Sequence, residues 1–442
     1  MPAPLLFGAI ADDLTGGTEL ASMLVARGVP TGCTVGARAE VPSGNVAHVI
    51  ALKTRVEPAA EAVAHTLEAA EKLLAAGARQ IFFKYCATFD STPQGNIGPC
   101  AEALLERLGA RATVFAPALC ETGRTVYQGH MFGGSQLLSE SPKRFDPLTP
   151  MTDSNLVRVL AAQSRSKVGL IPHPAVNAGA DAIRRALDAR VAAGDRLLIA
   201  DTIYERDLAA IAAATVDLPL MTGNSSVAAH LPPEWIERGQ LAISDLVPAR
   251  LPAIDGPAAI LAGSVADRTA EQLERFACAH PLLKIDLQRS VEEAVAEAAA
   301  FASLHLAERP FAIATTAPQA VVDELQRQHG RANIAAKAEA ILAAIARILV
   351  GEMGLRRLIV AGGETAGAIV RSLAIERITM GAYEGPGLSR GIVETPQPLA
   401  LMLKSGKLGG TDIFEQVLEA MRLPTEMEPA IDKWPPSVLR NN

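Results

Sequence analysis

Short apolar runs recur along the first half of the chain at residues 5–10, 31–35, 48–52, 80–83 and 113–116, separated by Ala-, Glu- and Leu-rich stretches with helical spacing, notably 59–76 and 100–108. Such alternation specifies a mainly parallel sheet wrapped by helices, since parallel neighbours need a crossover long enough to hold a helix. The pattern breaks into Gly, Pro, Ser and Thr over residues 117–155. A loop of that length inside a compact domain is functional or disordered. Its Arg124, Tyr127, His130 and hydroxyls favour function, with a plain surface excursion as the other reading. Alternation resumes with strands expected at 168–171, 197–200 and 218–221 and helices at 180–193 and 206–214.

Residues 243–257 hold Pro248, Pro252, Gly256 and Pro257 without a clear period, which is linker composition. Beyond them strands are expected at 258–262, 282–287, 311–315 and 358–361. Helices are expected at 271–279, 291–307, around 334–350 and at 365–373. The fold class is therefore α/β with two domains, each a mainly parallel sheet flanked by helices. The expected divisions are 1–242, a linker 243–257, a second domain 258–423, and a surface-draped tail 424–442.

Composition agrees with two domains: 442 residues exceed the roughly 150 of an ordinary domain. With 49% hydrophobic and 20% charged residues the chain has ample core material and is not disordered. Only 4% aromatic residues and a formal charge of −7, without a basic cluster, argue against a nucleic-acid partner. Five cysteines, Cys33, Cys86, Cys100, Cys120 and Cys278, lie at no Cys-x-x-Cys spacing, and the eight histidines form no ligand pattern. This suits a reducing cytoplasm and disfavours zinc. No basic region opens the N-terminus, so no signal peptide is expected. No uncharged apolar stretch reaches the ~18 residues of a membrane helix, so no membrane partner is expected either.

Chemistry is foreshadowed at three turns. Phe7-Gly-Ala-Ile-Ala-Asp-Asp-Leu-Thr-Gly-Gly-Thr-Glu19 reads as strand, acidic turn and helix, placing Asp12 and Asp13 where α/β proteins gather ligands. Neighbouring residues at a strand end point to opposite faces, so one carboxylate is expected to face any one ligand. Asp13 or Thr15 could instead simply cap the helix. Leu358-Ile-Val-Ala-Gly-Gly-Glu-Thr365 and Leu261-Ala-Gly-Ser264 are strand-to-helix turns, fit for phosphate or for nothing more than a turn. The chain has no Gly-x-x-x-x-Gly-Lys-[Ser/Thr] P-loop, and no Gly-x-Gly-x-x-Gly follows the first strand.

Ile10-Ala-Asp-Asp-Leu-Thr-Gly16 resembles the opening of the four-carbon acid sugar kinase family. In the same order Lys84-Tyr-Cys-Ala-Thr-Phe-Asp-Ser-Thr92, Gly95-Asn-Ile-Gly98, Gly123-Arg-Thr-Val-Tyr-Gln-Gly129 and Pro147-Leu-Thr-Pro-Met-Thr-Asp-Ser-Asn155 resemble most closely its 3-oxo-tetronate branch. Gly362-Gly-Glu-Thr-Ala-Gly367 and Leu403-Lys-Ser-Gly406 resemble its nucleotide motifs, so the likeness runs over nearly the whole chain. The resemblance implies ATP held by Ser264, Gly362, Gly363, Glu364, Thr365 and Gly406, with Mg²⁺ bridging the phosphates. No metal ligand is named; Glu364 is one candidate, and an ordinary helix N-terminal charge is its other reading.

The implied substrate is a small sugar acid, bound by Lys84, Asp90, Ser91, Asn96 and Arg124. Lys84 is placed where its strand ends and is the leading partner for the carboxylate; Arg55 and Arg124 are weaker candidates, read first as surface cations. Asp90, Ser91 and Asn96 could serve polyol groups or only their own backbone. Asp12 or Asp13 would orient the terminal hydroxyl and accept its proton, in a cleft between the domains. A homodimer is expected, as in many such enzymes. Departures from the branch pattern occur at Arg144-Phe-Asp146, Pro386-Gly-Leu-Ser-Arg390 and Lys404-Ser-Gly-Lys-Leu-Gly409. They leave threonate or erythronate kinase as the near alternative. An NAD-dependent dehydrogenase of the same acids, or a two-lobed sugar-acid sensor, is the reading from another class.

Overall fold

A computed structural model describes residues 5–146, 148–315, 327, 331–394 and 397–431. Pro147 of the Pro-Leu-Thr-Pro segment and the expected tail beyond residue 431 lie outside the described residues. The chain divides into two compact units, Met1–Pro248 with Glu428–Asn442, and Ala249–Met427.

In the first unit the strands in chain order are β1 (Phe7–Ala11), β2 (Thr31–Val35), β3 (Ala47–Ala51), β4 (Gln80–Lys84) and β5 (Thr113–Ala116). Then come β6 (Arg124–Tyr127), β7 (His130–Gly133), β8 (Gln136–Leu137), β9 (Val168–Ile171), β10 (Leu197–Ala200) and β11 (Leu220–Gly223). Eight of them form one sheet in the order β2-β3-β1-β4-β11-β5-β10-β9, and every neighbouring pair is parallel. All five residues of β1, β3 and β4 are buried, as strands covered on both faces must be. Phe7 packs its ring 5.6 Å from Phe82 and 5.5 Å from Trp235.

The chain path places one pair of strand ends apart from the rest. From β1 it runs through helix α1 (Leu14–Ala26) to β2, returns to β3 beside β1, and crosses through α2 (Ala59–Ala75) to β4 on the other side of β1. β1 and β4 therefore flank a point where the strand order reverses, and ligands bind outside the carboxyl ends of strands at such a point.

The stretch expected to be irregular, 117–155, is in part a folded antiparallel sheet of β6, β7 and β8. Its turn at Gln128 and Gly129 is tied down by buried Asp201, whose carboxylate accepts from both amides at 2.9 and 2.8 Å and from the His173 amide at 2.9 Å. Polar two-to-four-residue strands pinned by one distant aspartate leave little periodic trace.

The second unit begins with β12 (Ala249–Leu251), followed by β13 (Ala258–Ala262), β14 (Leu282–Lys284), β15 (Phe311–Ala314) and β16 (Arg357–Ala361). It ends with β17 (Thr379–Met380), β18 (Leu388–Val393), β19 (Leu399–Lys404) and β20 (Thr425–Met427). Its main sheet has the order β14-β15-β13-β16-β19-β18-β17, parallel up to β19 and antiparallel beyond. The opening path repeats the first unit: β13 leads two places over to β14, back to β15, then across to β16.

The boundary differs from the sequence reading. Ala249–Leu251, inside the expected linker, pairs antiparallel with Thr425–Met427, inside the expected tail. Ala249 and Leu251 are buried while Arg250 points out, a period-two pattern only three residues long and hidden among prolines. Among the described residues no helix is long and apolar enough to cross a membrane.

Candidate functional site

Because β1 ends at Ala11, Asp12 and Asp13 stand beyond the pleat, in the turn into α1. The expected divergence of neighbouring carboxylates therefore fails, and both reach one guanidinium. Arg55 donates from Nε to Asp12 Oδ2 at 2.9 Å, and from Nη2 to Asp12 Oδ1 at 2.7 Å and to Asp13 Oδ1 at 2.5 Å. Arg55 lies just past β3, where the amides of Thr54 and Arg55 donate to the Asp12 carbonyl at 2.9 and 3.1 Å. Lys84, the last residue of β4, is buried with Nζ 3.5 Å from Asp13 Oδ1. Three adjacent strand ends, β3, β1 and β4, thus each deliver one part of the cluster.

Asp13 is also the cap of α1, its Oδ1 accepting from the Gly16 amide at 3.1 Å. Its Oδ2 has no hydrogen-bond partner among the described residues. Gly16 makes room for the lysine: a Cβ there would stand 1.6 Å from Lys84 Nζ. Beside it, Thr15 Oγ1 is buried without a hydrogen-bond partner.

Burial pushes both carboxyls upward. For Asp12 it prevails over the opposing charge of Arg55, so that group is raised. For Asp13 the charges of Arg55 and Lys84 together outweigh burial and hold it below the usual carboxylate range. Burial lowers Arg55, but the two carboxylates outweigh it and keep the guanidinium charged. Adjacent carboxyls whose environments push them apart suit division of labour between them.

Past β4 the chain makes a strained turn. Phe89 has φ of +49° and is fully buried, its ring edge-on to Tyr85 at 5.3 Å, so packing holds the left-handed conformation. This turn presents Asp90, which accepts from Thr88 Oγ1 and pairs with Lys143 Nζ at 2.7 Å. Lys143 also pairs with Asp146 at 2.7 Å. Cys86 Sγ lies 2.9 Å from Thr88 Oγ1, the hydroxyl that donates to Asp90.

Ser91 Oγ accepts from Gln163 Nε2 at 2.8 Å. Asn96 precedes α3 (Ile97–Arg107) and donates to the carbonyls of Thr54 at 2.6 Å and Glu57 at 3.0 Å, which fixes the turn that carries Arg55. Arg124 is on β6, where its Nη1 donates to Thr122 Oγ1 at 3.3 Å. The structure therefore gathers Asp12, Asp13 and Lys84 directly, with Asn96 behind them and Asp90 and Ser91 on the next turn. Sequence reasoning weighed Arg55 only as a weaker carboxylate partner and did not reach Lys143. Arg55 follows the apolar run of β3 much as Lys84 follows that of β4, so the same strand-end signal would have found it; Lys143 lay in a stretch without periodicity.

In the second unit β13, β16 and β19 are neighbours, and their ends are stitched together by Gly263 N to Ala361 O at 3.1 Å and Gly362 N to Lys404 O at 3.0 Å. A Cβ on Gly406 would stand 2.0 Å from Ser264 Oγ, and one on Gly263 would stand 2.1 Å from Thr365 Oγ1. Gly362 has φ of +123° and lies against Ser264 and Thr365. Ser264, Gly362, Thr365 and Gly406 thus converge through backbone approaches that only glycine permits. Helix Gly363–Ser372 starts at this point with no side-chain cap, and Gly363 and Glu364 are exposed in its first turn. Uncapped amides and the helix dipole suit an anion. Among the described residues no three His, Cys, Asp or Glu side chains are grouped to hold a metal.

The α/β fold thus sets a charge-dense cluster at one strand-order reversal and a glycine-walled helix start at another, chemistry suited to a small polar ligand at the first and to an anion at the second. Residues 7–231 match a sugar-binding N-terminal domain and residues 259–414 a nucleotide-binding C-terminal domain. The chain is 45% identical over 419 residues to a 3-oxo-tetronate kinase of Burkholderia multivorans, covering 94% of this chain and 97% of that one. It is 44% identical over 422 residues to a 3-oxo-tetronate kinase of Pseudomonas fluorescens, with the same coverage of 94% and 97%. A crystal structure from Salmonella typhimurium LT2 superposes with a TM-score of 0.82 at 36% identity, over 94% of this chain and 99% of that one. The chain belongs to the four-carbon acid sugar kinase family. Membership sets aside the dehydrogenase and sensor readings.

Proposed function

We propose that the protein transfers the γ-phosphoryl group of ATP to the terminal hydroxyl of 3-oxo-tetronate, giving 3-oxo-tetronate 4-phosphate. The observation that carries this reading is the pairing of two unlike sites at equivalent strand-order reversals, Asp12–Arg55–Asp13–Lys84 in the sugar-binding unit and Ser264–Gly362–Thr365–Gly406 in the nucleotide-binding unit. The names and coverage of the relatives support the choice of acid.

In this reading Asp13 orients the hydroxyl through its unengaged Oδ2 and accepts the proton as transfer proceeds. Asp12 holds Arg55 in place, and Arg55 and Lys84 keep Asp13 ionised and draw the negatively charged acid. Thr15 offers a hydroxyl, and Asp90 and Ser91 border the acid on the following turn. Asn96 acts by fixing the Arg55 turn. Arg124 is retained as a candidate for the carboxylate end.

Ser264, Gly362, Gly363, Glu364, Thr365 and Gly406 hold the nucleotide, the glycines by close backbone approach. They fit a polyphosphate, given the uncapped helix start beside them. Mg²⁺ would neutralise phosphate charge and keep most of its ligands from phosphate and water, which fits a site with few carboxylates. Transfer requires acid and nucleotide to meet with water excluded. The same reading places the enzyme in the cytoplasm, where its cysteines stay free, and makes it a symmetric homodimer, testable by light scattering.

The deciding experiment is a coupled ADP-release assay with Mg-ATP against 3-oxo-tetronate, D- and L-threonate, D- and L-erythronate, and glycerate. We expect the highest kcat/KM for 3-oxo-tetronate. Preference for a reduced tetronate would keep the kinase and move the substrate; ADP release stimulated by none of the acids would remove the substrate class.

A further inference from the structure

The turn after β19 has its carbonyls taken from within. Lys404 is wholly buried, and its Nζ donates to Ser405 O at 2.7 Å and Leu408 O at 3.0 Å. Thr269 Oγ1 donates to Gly406 O at 2.7 Å. Gln272 Nε2 donates to the carbonyls of Leu408, Gly409 and Gly410 at 3.1, 3.2 and 2.9 Å. The amides of Gly406 and Lys407, by contrast, have no hydrogen-bond partner among the described residues. A turn whose carbonyls are held on one side offers its amides on the other, which is how backbone concavities bind anions. Gly406 is the residue that lies against Ser264, beside the start of helix Gly363–Ser372.

We propose that Lys404 is a positioning residue for the nucleotide: its buried ammonium fixes the 405–408 turn so that the Gly406 and Lys407 amides meet phosphate. The proposal rests on the ATP reading above. Lys404 need not touch the ligand, since it acts through the carbonyls it holds. Leaving such a cation buried without a carboxylate costs stability, and a role in binding accounts for its being there.

The packing also makes the device sensitive to pH. Around Lys404, helix Asp267–Ala277 contributes Arg268, itself paired with Glu271 at 2.8 Å, and helix Ile413–Ala420 contributes the Phe414 ring at 6.0 Å. Its partners in the sheet, Ala361 and Leu388, are uncharged, and Lys407 of the same turn is exposed. Burial, then repulsion from Arg268, pushes Lys404 down to about 8. The turn is therefore held by a charged donor below that value and by a neutral amine above it.

The test is calorimetric Mg-ADP binding to the full chain, with steady-state kinetics from pH 6.5 to 9.5, for the native protein, Lys404→Met and Lys404→Arg. We expect Lys404→Met to raise the Mg-ADP Kd and ATP KM by about tenfold or more, the scale of lost charge-assisted hydrogen bonds, with the acid KM unchanged. Native ATP KM should rise above pH 8, and Lys404→Arg, which stays charged, should flatten that rise. A folded Lys404→Met with native Mg-ADP affinity, or an equal rise in both KM values, overturns the proposal. Should Lys404→Met not fold, an unchanged alkaline rise in Lys404→Arg overturns it as well. Native protein that binds no Mg-ADP would bring down the ATP reading together with this one, whereas native binding with an indifferent Lys404→Met sinks this one alone.

Discussion

Asp13 carries three duties on one oxygen, capping α1 and meeting Arg55 and Lys84, while its other oxygen faces no protein donor among the described residues. Asp13→Asn keeps a cap and should leave the protein folded, but it should lower kcat by roughly 10²- to 10⁴-fold, the usual contribution of a positioned base. Asp12→Asn weakens the grip on Arg55 and should cost less, because Asp13 still holds that guanidinium; equal losses in both variants would remove the distinction. Since Asp13 is held below the ordinary carboxylate value of about 3.9, it stays ionised as pH falls toward that value. Protonation of Asp13 should accordingly cost activity only below about pH 4, and an acid limb above that value which Asp12→Asn abolishes in the pH–rate profile belongs to Asp12, whose carboxyl burial raises. Gly16→Ala would drive a methyl into Lys84 Nζ and should raise the acid KM while sparing ATP KM. The two aspartates and Lys84 were legible in the sequence because each follows an apolar run. Arg55 was legible by the same rule but was read as surface, and its pairing with both carboxylates depends on a turn fixed by Asn96, 41 residues away, which no local pattern reveals.

Among the elements, the buried parallel strands were readable because four or five apolar residues set between helical stretches suit little else than a strand covered on both faces. The three-stranded sheet of β6, β7 and β8 and the ribbon of β12 and β20 were not, since two to four residues cannot display a period. No internal repeat is visible in the sequence, yet both units open with the same strand path, two over, back, and across. The likeness lies in connectivity, which side-chain identity need not preserve. It explains why unlike residues, carboxylates after β1 and glycines after β13 and β16, occupy equivalent ground. At the second of these places the close approach is itself the device. Gly406→Ala would put a methyl 2.0 Å from Ser264 Oγ and should cost about 1–3 kcal/mol of stability through overpacking. Mg-ADP binding should weaken more than the melting temperature alone accounts for; a variant that melts early but binds normally would show that the glycine serves packing only.

For the whole molecule, ligand binding should register as added stability. At a Mg-ATP concentration 100 times its Kd, the unit that binds it gains about 2.7 kcal/mol against unfolding, and NAD at the same concentration should add nothing. Differential scanning calorimetry would record this as an upward shift specific to one nucleotide, and a shift with NAD alone would contradict the family's chemistry. Two α/β units were foreseeable from length and alternation; where the chain passes from one to the other was not, because a ribbon of three-residue strands settles it. That ribbon has a consequence for anyone wishing to rebuild the protein. Ala249 pairs with Met427, so the segment between them begins and ends at neighbouring points. Such an arrangement makes it a cassette: it can be lifted out with both ends already tied, circularly permuted at a distant surface turn, or spliced into another host across a gap of a single strand spacing, about 5 Å.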